Sequence, residues 1–389
     1  MLVPLIGEVA GRLPVRSACD LFAGTTRVGQ ELRRRGLAVH SNDLATYSEV
    51  LGQAYIAAGR SLDRARLTEI LAEVAALEGR EGWFTETFCR RARYFQPANG
   101  ARIEAIREAI DGYPLSAVER GVLLTSLLEA ADRVDSTTGL QMAYLKTWAP
   151  RSYNELSLRL PEPVEGRPGT VSRLDANELA SDLDVDLVYV DPPYNQHSFF
   201  SNYHVWETLV RWDAPEPYGV AMKRLDCREN RSPYNSKRKA PGALTSLIES
   251  LRAPWLLVSV SDEAFHEADG IGAMLANRGY VGRIDVDSKR YVGAQIGIYN
   301  PSGEKVGTIS RLRNRESLFL VGPDRGVVAA ATGASAASAR AAGANARKAA
   351  VAQAARASGR NGAAGAPSPV AASRATPART AGQGPRPRR

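Results

Sequence analysis

The residues with the clearest chemical potential are Asp191, Pro192, Pro193 and Tyr194, which directly follow an apolar strand predicted over residues 186–190. In an open parallel sheet, ligands bind beyond the carboxyl ends of the strands. The two prolines fix φ and have no N–H to donate, so the segment presents a carboxylate, free carbonyl oxygens and an aromatic ring. Such a site accepts hydrogen bonds without donating them, and it suits a planar group that carries an NH2.

The adenine amino group is of this kind, and it is a poor nucleophile because its lone pair is delocalised into the ring. Acceptors that take both of its protons favour the pyramidal nitrogen that attacks a methyl group, and this stabilisation is concentrated in the transition state. We predict that Asp191 and the carbonyl of Pro193 are these acceptors. Tyr194 would stack on the base, and Pro192 completes the catalytic tetrapeptide. The alternative is a strand-ending turn whose aspartate caps a helix.

A second segment, residues 20–29, combines a strand end, a turn of small residues and a helix start, which is typical of a nucleotide-binding corner. Gly24 allows the backbone to approach a ligand closely, and Asp20 is placed to attract a cation such as a methionine ammonium group. The turn has neither a GxGxxG pattern nor the lysine and hydroxyl of a P-loop, which disfavours a pyrophosphate ligand. A tight turn without a ligand is the alternative.

Two further aspartates follow predicted strands. Asp43 comes about twenty residues after the turn, a spacing at which an acidic residue commonly binds ribose hydroxyls, although Asn42 is an alternative ligand. Asp175 is a candidate for an adenine amino contact, although an aspartate at a strand end is often a helix cap. The predicted cofactor-binding residues are Asp20, Phe22, Ala23, Gly24, Thr25, Asp43 and Asp175.

These motifs lie on alternating strands and helices, which predicts an α/β fold with a parallel sheet and helices on both faces. The predicted strands are residues 15–22, 37–41, 170–174, 187–190 and 255–259, and the first two are followed by helices at 30–35 and 47–58. Residues 282–299 and 306–320 resemble a hairpin joined by the turn Asn300–Gly303. Apolar residues from 61 to 150 recur at helical spacing, which predicts a helical insertion.

The predicted organisation has four parts. Residues 1–60 and 166–327 form the two parts of the core, residues 61–165 form the mainly helical insert, and residues 328–389 form a disordered basic tail. The tail contains ten Lys or Arg and no acidic residue, so the +8 net charge of the 389-residue chain arises there; the first 327 residues hold 40 basic and 42 acidic side chains. The high isoelectric point is therefore not evidence for a basic folded body.

Cysteine and histidine usage disfavours structural metal or disulfide chemistry. The three cysteines are far apart, there is no CxxC pair, and the four histidines have no ligand spacing. No apolar run has the length of a membrane span, and no signal-peptide pattern is present. We predict a cytoplasmic protein without a metal or a membrane partner.

Five segments carry a resemblance to a known family: DLFAGTTRVG at 20–29, SNDL at 41–44, DRVDSTTGLQMAYLK at 132–146, DPPYNQHSFFSNYHVWETL at 191–209 and RLRNRESLFLVG at 311–322. The chain resembles the D12 class of N6-adenine DNA methyltransferases in the α-type motif order. It is similar in particular to adenine methylases of type IIS restriction systems. The long continuation after DPPY is the specific part of this resemblance.

The resemblance implies a Rossmann-like core of seven strands that binds S-adenosylmethionine and transfers its methyl group to adenine N6 in double-stranded DNA. It implies that the helical insert recognises the target and that Asn195–Tyr203 form a loop beside the extruded base. In the family, a short motif with Tyr, Gly and Lys precedes an apolar segment like Leu2–Ile6. Since the sequence starts at Met1, either the start lies further upstream or cofactor binding is weakened, and we favour the upstream start. A cognate restriction endonuclease and a monomeric state complete these expectations.

Basic clusters are candidates for holding the DNA backbone while the base is flipped out. They occur at residues 90–94, 223–239 and 311–315, and the alternative for each is a solvated surface. The predicted DNA-binding residues are Asn195, Ser201, Asn202, Tyr203, Arg91, Arg93, Lys237 and Arg238. Phe199 and Phe200 are candidates for a stacking surface, or for the core of the following helix.

Two other functions are compatible with these motifs. The same chemistry could act on cytosine N4 or on RNA, although cytosine-N4 enzymes more often carry serine in place of Asp191. A catalytically silent DNA-binding protein is the alternative from another class, and it would have no affinity for S-adenosylmethionine.

Overall fold

A central sheet organises the computed structural model, which describes residues 2–337 apart from His197, Asn230, His266, Glu267 and the segments 290–297, 300–304 and 308–312. Within these residues the sheet has seven strands in the order β3-β2-β1-β4-β7-β11-β8. The strands of the chain are β1 Ser17–Asp20, β2 Ala38–Asn42, β3 Thr170–Ser172, β4 Leu187–Val190, β5 Pro217–Tyr218, β6 Lys223–Arg224, β7 Trp255–Ser261, β8 Tyr280–Lys289, β9 Ile298–Tyr299, β10 Lys305–Gly307 and β11 Arg313–Gly322.

The sheet is parallel from β3 to β7, and β11 runs antiparallel between β7 and β8. Every residue of β4 and β7 is buried, as expected for strands covered on both faces. β1 pairs with β2 on one side and with β4 on the other. The strands that follow β1 in sequence are added first on one side of it (β2 and β3) and then on the other (β4 and β7). At such a reversal of strand order a crevice forms beyond the carboxyl end of β1, where α/β folds bind ligands. The predicted Rossmann-like α/β fold is confirmed.

Helices cover both faces of the sheet. They are α1 Leu2–Ala10, α2 Arg27–Arg34, α3 Thr46–Gly52, α4 Arg64–Ala75, α5 Trp83–Thr85, α6 Pro97–Ile110, α7 Ala117–Arg133, α8 Ala176–Leu179, α9 Phe199–Asn202, α10 His204–Arg211, α11 Ala240–Ser250, α12 Ala268–Leu275 and α13, residues 325–337. Ile6 of α1 and Leu32 of α2 are fully buried on one face, and Leu247 of α11 and Leu275 of α12 are fully buried on the other. In the described part of the chain no helix is both long and apolar enough to cross a bilayer.

The helical insert has a hydrophobic core of its own, which contains Ile103, Ile106 and Leu127. Val50 of α3 and Leu209 of α10 belong to the same cluster, so the insert packs directly on the two helices that border the site. Helix α7 begins with a capping box at Ser116, which satisfies free N–H groups at its first turn. Among described residues after α7, the insert holds a 3-10 turn at Pro150–Tyr153 and is otherwise irregular up to β3.

Arg33 ties the two ends of the insert to the core. Its buried guanidinium donates hydrogen bonds to the carbonyl oxygens of Tyr55 at 2.8 Å, Ile56 at 3.0 Å and Ala58 at 2.7 Å, where the chain leaves the core. It also donates to the carbonyl of Gly166 at 3.3 Å, where the chain returns. One cation therefore satisfies four carbonyl oxygens that would otherwise lose their partners on burial.

Replacing Arg33 by alanine should lower the free energy of unfolding by about 3 kcal/mol, because several buried acceptors lose their donor at once. Arg35→Ala is the matched control, since its pair with Glu31 is partly exposed and such pairs contribute about 0.5 kcal/mol. Urea unfolding of both variants checks this prediction, and equal losses would contradict it.

The C-terminal boundary of the folded body differs from the prediction. Residues 325–337 form α13, and Val328, Ala331 and Ser335 are buried, the first two within the cluster that covers one face of the sheet. The predicted disordered tail from Val328 therefore starts too early. A helix of small residues has little apolar area of its own, but it becomes ordered here because it packs on a face of the folded sheet. The predicted hairpin corresponds to β8 and β11, which pair over ten residues, while its turn at Asn300–Gly303 lies outside the described residues.

Candidate active site

A cavity of about 830 Å³ lies beyond the carboxyl ends of β1, β2 and β4, and we call it the central cavity. It brings together residues from 2–47 and from 173–235, two parts of the chain that are separated by more than a hundred residues in sequence. The predicted residues that line it are Asp20, Phe22, Ala23, Gly24, Thr25, Asp43, Asp175, Asp191, Pro193 and Tyr203.

The turn after β1 is fixed by hydrogen bonds to the end of β2. The N–H of Gly24 donates to Asp43 Oδ2 at 2.8 Å, and the N–H of Ala23 donates to the carbonyl of Asn42 at 2.9 Å. Gly24 has a φ of +50°, a left-handed conformation that favours glycine. Asp43 also accepts the N–H of Ala45 through Oδ1, so its carboxylate shapes the turn as well as lining the cavity.

Asp20 and Glu207 are the most deeply buried acids of the cavity, each with 1% of its surface exposed. Asp20 Oδ2 accepts the N–H of Gly29 at 2.8 Å, whereas the buried Oδ1 has no hydrogen-bond partner in the described residues. Burial chiefly, with the charges of Asp191 and Asp43, raises the pKa of Asp20 to about 7 against the opposing Gly29 hydrogen bond. A cationic ligand would supply what this carboxylate lacks.

Asp191 lies at the end of β4, where burial raises its pKa to about 6. Tyr189 donates a hydrogen bond to Asp191 Oδ2 at 3.3 Å. Pro193 also lines the cavity, whereas Pro192 is buried and does not. Tyr194 does not line the cavity, and its carbonyl accepts the N–H of Phe265 at 2.9 Å. The structure therefore brings Asp191 and Pro193 together, but it does not bring Tyr194 to the same space.

An aromatic wall borders the cavity, and the sequence analysis found only part of it. Tyr203 stacks on Trp206 at 5.1 Å and contacts Tyr47 at 5.4 Å between ring centroids. Glu207, which is buried, accepts the N–H of Tyr47 at 3.1 Å. Tyr203 and Glu207 are one helical turn apart, and this spacing could have predicted that both side chains face the same space. No local sequence pattern indicates that Tyr47 lines the cavity.

Several predicted DNA-binding residues lie away from the cavity. Arg91, Arg93, Lys237 and Arg238 are exposed and do not line it. Asn195, Ser201 and Asn202 do not line it either; Asn202 is buried, and its carbonyl accepts the N–H of Gln141. Asp175 lines the cavity but also caps α8, since its Oδ1 accepts the N–H of Asn177 at 2.8 Å and of Glu178 at 3.3 Å.

A rim of four exposed arginines surrounds the mouth, and of these only Arg231 lies in a predicted basic cluster, that of residues 223–239. They are Arg27, Arg173, Arg211 and Arg231. Arg173 is 3.4 Å from Glu49, and Arg211 is paired with Asp213 and Asp226. In the residues that the structure describes, Arg27 and Arg231 belong to no ion pair. Arg27, Arg173 and Arg211 are scattered through the sequence outside the predicted basic clusters, so no local pattern marks them.

Charge is therefore segregated by depth. The floor carries Asp20, Asp43, Asp191 and Glu207, each with a pKa raised chiefly by burial, and the rim carries arginines. Such a floor fits a cation and such a rim fits an anion. Phe22, Leu44 and Leu174 add apolar surface between them. Among described residues, no group of three or more His, Cys, Asp or Glu is arranged to hold a metal ion.

Comparison with known proteins agrees with this arrangement. The family model for the D12 class of N6 adenine-specific DNA methyltransferases matches residues 2–240. The chain is 30% identical over 299 residues to the type II methyltransferase M.NlaIII of Neisseria lactamica, covering 74% of this chain and 87% of that protein. It is 31% identical over 278 residues to M.FokI of Planomicrobium okeanokoites and 29% identical over 287 residues to the modification methylase StsI of Streptococcus sanguinis. The matched region covers 42% of the length of M.FokI and 44% of the length of StsI, so the chain spans less than half of each.

Proposed function

The chain belongs to the D12 class of N6 adenine-specific DNA methyltransferases, and on that premise we propose that its central cavity binds S-adenosylmethionine beside a flipped-out adenine. The observation that carries the proposal is the convergence of Asp20, Asp43, Asp191 and Pro193 on one cavity. S-adenosylmethionine supplies an electrophilic methyl group on a sulfonium centre. The residues of this chain bind it, orient the base and accept its hydrogens.

The acidic floor suits the methyl donor, which carries two positive centres and one carboxylate. Asp20 Oδ1, buried and without a partner among the described residues, would accept a hydrogen bond from the donor's ammonium group. The Asp43 carboxylate accepts backbone hydrogen bonds from Gly24 and Ala45 among others, and it would use its remaining lone pairs to accept the ribose hydroxyls. Leu44 and Leu174, about half exposed at the mouth, offer apolar surface to a purine ring.

Asp191 and the Pro193 carbonyl would accept the two N6 hydrogens of the target adenine. Neither group can donate a hydrogen bond while Asp191 is ionised, so both favour the nitrogen geometry that attacks the methyl carbon. Because Tyr194 does not line the cavity, we assign base stacking to Tyr203, which does and which is held by Trp206. Phe199, 45% exposed at the mouth, is a second candidate for contact with the displaced base.

The arginine rim would hold the phosphates on either side of the flipped nucleotide. A flipped base enters the cavity only if its own backbone is drawn to the mouth, and exposed cations provide that attraction. Arg91 and Arg93 stay predictions for a more distant contact, with Arg93 donating a hydrogen bond to the carbonyl of Lys146 on the adjoining loop. Lys237, Arg238, a cognate endonuclease and a monomeric state also stay predictions.

Arg231→Ala should weaken DNA binding about equally for all sequences and reduce the slope of log K against log salt by about 1, because it removes a phosphate contact. Arg252→Ala is the matched control: it is also exposed but precedes β7, at the opposite end of the strands from the cavity. Fluorescence anisotropy over a salt series measures both. An unchanged slope in Arg231→Ala would argue against the rim as the backbone contact.

Transfer of a labelled methyl group from S-adenosylmethionine to duplex DNA, with mass spectrometry of the digested nucleosides, tests the proposed function as a whole. We expect N6-methyladenine. Recovery of N4-methylcytosine or of methylated RNA would instead favour the alternative substrates, and calorimetry without any donor binding would favour a silent DNA-binding protein.

A further inference from the structure

Two buried hydroxyl groups form a row that ends at the Asp191 carboxylate, with only the first in contact with it. The Tyr189 hydroxyl lies 3.3 Å from Asp191 Oδ2 and 2.8 Å from Ser259 Oγ. Tyr189 is 2% exposed and Ser259 is 5% exposed. Neither belongs to the DPPY tetrapeptide, and neither has a role in the proposed binding of donor or base.

The strand register explains why these three side chains meet. Tyr189 of β4 pairs with Leu257 of β7. Since side chains alternate between the faces of a sheet, Tyr189 and Asp191 point to the same face as Leu257 and Ser259. Ser259 lies on β7 two residues beyond Leu257, the register partner of Tyr189. It is therefore displaced from Tyr189 toward the end of β4 that carries Asp191. The contact follows from two regular strands and needs no special loop conformation.

The available protons give this row of hydrogen bonds a direction. Tyr189 has one hydroxyl proton, and burial holds its pKa well above the ordinary value, so it stays protonated. An ionised Asp191 can only accept, so Tyr189 donates to Oδ2. Its oxygen is then free to accept the hydroxyl proton of Ser259. The order is Ser259 to Tyr189 to Asp191, and it occupies Oδ2 while leaving Oδ1 for another donor.

We propose that Tyr189 and Ser259 are positioning residues that hold the Asp191 carboxylate ionised and oriented, with Oδ1 kept for the adenine amino group. The inference rests on the proposed catalytic role of Asp191. It adds that side chains of β4 and β7 orient the Asp191 carboxylate before either substrate binds. A freely rotating or protonated carboxyl would present the wrong atom to the base.

The surroundings of Asp191 otherwise favour its protonation. Asp20 on β1 and Glu316 on β11 are like charges whose pKa values rise to about 7, mainly through burial and partly through the charge of Asp191. Tyr194 also feels that charge. Burial raises the pKa of Asp191 itself, and the Tyr189 hydrogen bond lowers it. Loss of that hydrogen bond should therefore move the pKa of Asp191 upward.

Tyr189→Phe tests the inference because it removes one oxygen and keeps the ring. The acidic limb of the kcat–pH profile should move upward by about one pH unit, and kcat at pH 8 should fall about tenfold from misorientation. Tyr94→Phe is the matched control. It also removes a fully buried tyrosine hydroxyl, but that hydroxyl contacts the carbonyls of Gln141 and Ala221 and the His204 ring nitrogen Nε2. None of these groups contacts Asp191, so the acidic limb should stay in place.

Ser259→Ala provides a second variant should Tyr189→Phe fold poorly. It should shift the limb in the same direction by a smaller amount, and Ser259→Thr should restore it. In the Tyr189→Phe background, Ser259→Ala should have no further effect, because the row is already broken; this double-mutant cycle separates a relay from two independent packing losses.

A titration without substrates gives an independent readout. The carboxyl carbon of Asp191, in ligand-free protein labelled with 13C-aspartate and assigned by its absence in Asp191→Asn, should titrate at higher pH in Tyr189→Phe and Ser259→Ala. Unchanged titration and an unchanged acidic limb in both variants would overturn the inference. If Asp191→Ala also kept full activity, the proposed function itself would fail, which is a distinguishable result.

Discussion

Asp191→Ala should reduce methyl transfer to DNA by at least about a thousandfold, because it removes an acceptor that acts on the N6 hydrogens in the transition state. Binding of S-adenosylmethionine should persist, since the donor's proposed contacts are with Asp20 and Asp43 on neighbouring strands. Single-turnover transfer of a labelled methyl group measures the first effect, and calorimetry with the donor alone measures the second.

Asp184→Ala is the matched control for that loss. Asp184 is an exposed aspartate that precedes β4, so it lies at the amino end of the strand whose carboxyl end carries Asp191. Its variant should retain activity within about twofold, as expected for surface substitutions away from such features. Transfer that survives in Asp191→Ala would refute the catalytic assignment, and lost donor binding would indicate a disturbed cavity instead.

Asp20→Asn should have opposite effects on donor binding and on stability. The affinity for S-adenosylmethionine should fall about a hundredfold, since a charge-assisted hydrogen bond to the ammonium group is lost in a buried site. Asparagine can still accept the N–H of Gly29, so the turn should be preserved. The ligand-free variant should melt at a higher temperature than the wild-type protein at pH 8, because a buried carboxylate has been replaced by a neutral group.

The pH dependence of that stability difference follows from linkage. The folded-state pKa of Asp20 is raised to about 7 from the ordinary value of 3.8, so folding favours the protonated form. The contribution of this carboxyl group to the free energy of unfolding is therefore fully present at low pH, and it is lost as the pH rises through about 7. The difference in Tm between Asp20→Asn and the wild-type protein should therefore be widest at pH 8 and narrow toward pH 5.

Melting curves from pH 5 to 8, with and without donor, check this expectation. Saturating S-adenosylmethionine should raise the Tm of the wild-type protein far more than that of Asp20→Asn. Asn177→Asp is a useful contrast, because it adds a carboxylate near the partly exposed end of α8 and should leave donor affinity closer to the wild-type value. A wild-type melting temperature that does not depend on pH would contradict the raised pKa of Asp20.

Local patterns in the sequence were sufficient for the parts of the site that lie at strand ends. Asp20, Asp43 and Asp191 each follow an apolar strand, and parallel strands bring their carboxyl ends to one edge of the sheet. The same reasoning predicted the helical insert, because helical periodicity is a property of neighbouring residues. Tyr189 was within reach of it too, since alternation places Tyr189 and Asp191 on one face.

Contiguous sequence clusters were incomplete guides to the proposed DNA-facing surface. Arg91, Arg93, Lys237 and Arg238 belong to such clusters but do not line the cavity, whereas Arg231 of the 223–239 cluster lines it and so does Arg27, which lies outside every cluster. Charge attraction depends on proximity in space. Proximity here arises because the start of α2, the residue after β3, the end of α10 and the loop after β6 meet at the mouth of the cavity. The helix at residues 325–337 was missed for a related reason, because its few small apolar residues become buried only against a finished sheet.

The sequence by itself determined the order of strands and helices, the acceptor-only chemistry of Asp191 and Pro193, and the resemblance that led to the family. Those features depend on residues within one strand, one turn or one motif. Only the tertiary structure decided that Tyr203 rather than Tyr194 lines the cavity, that Asp20 Oδ1 is left without a described partner, and that Ser259 reaches Asp191 through Tyr189. These outcomes depend on burial and on contacts between distant strands, which no local pattern records.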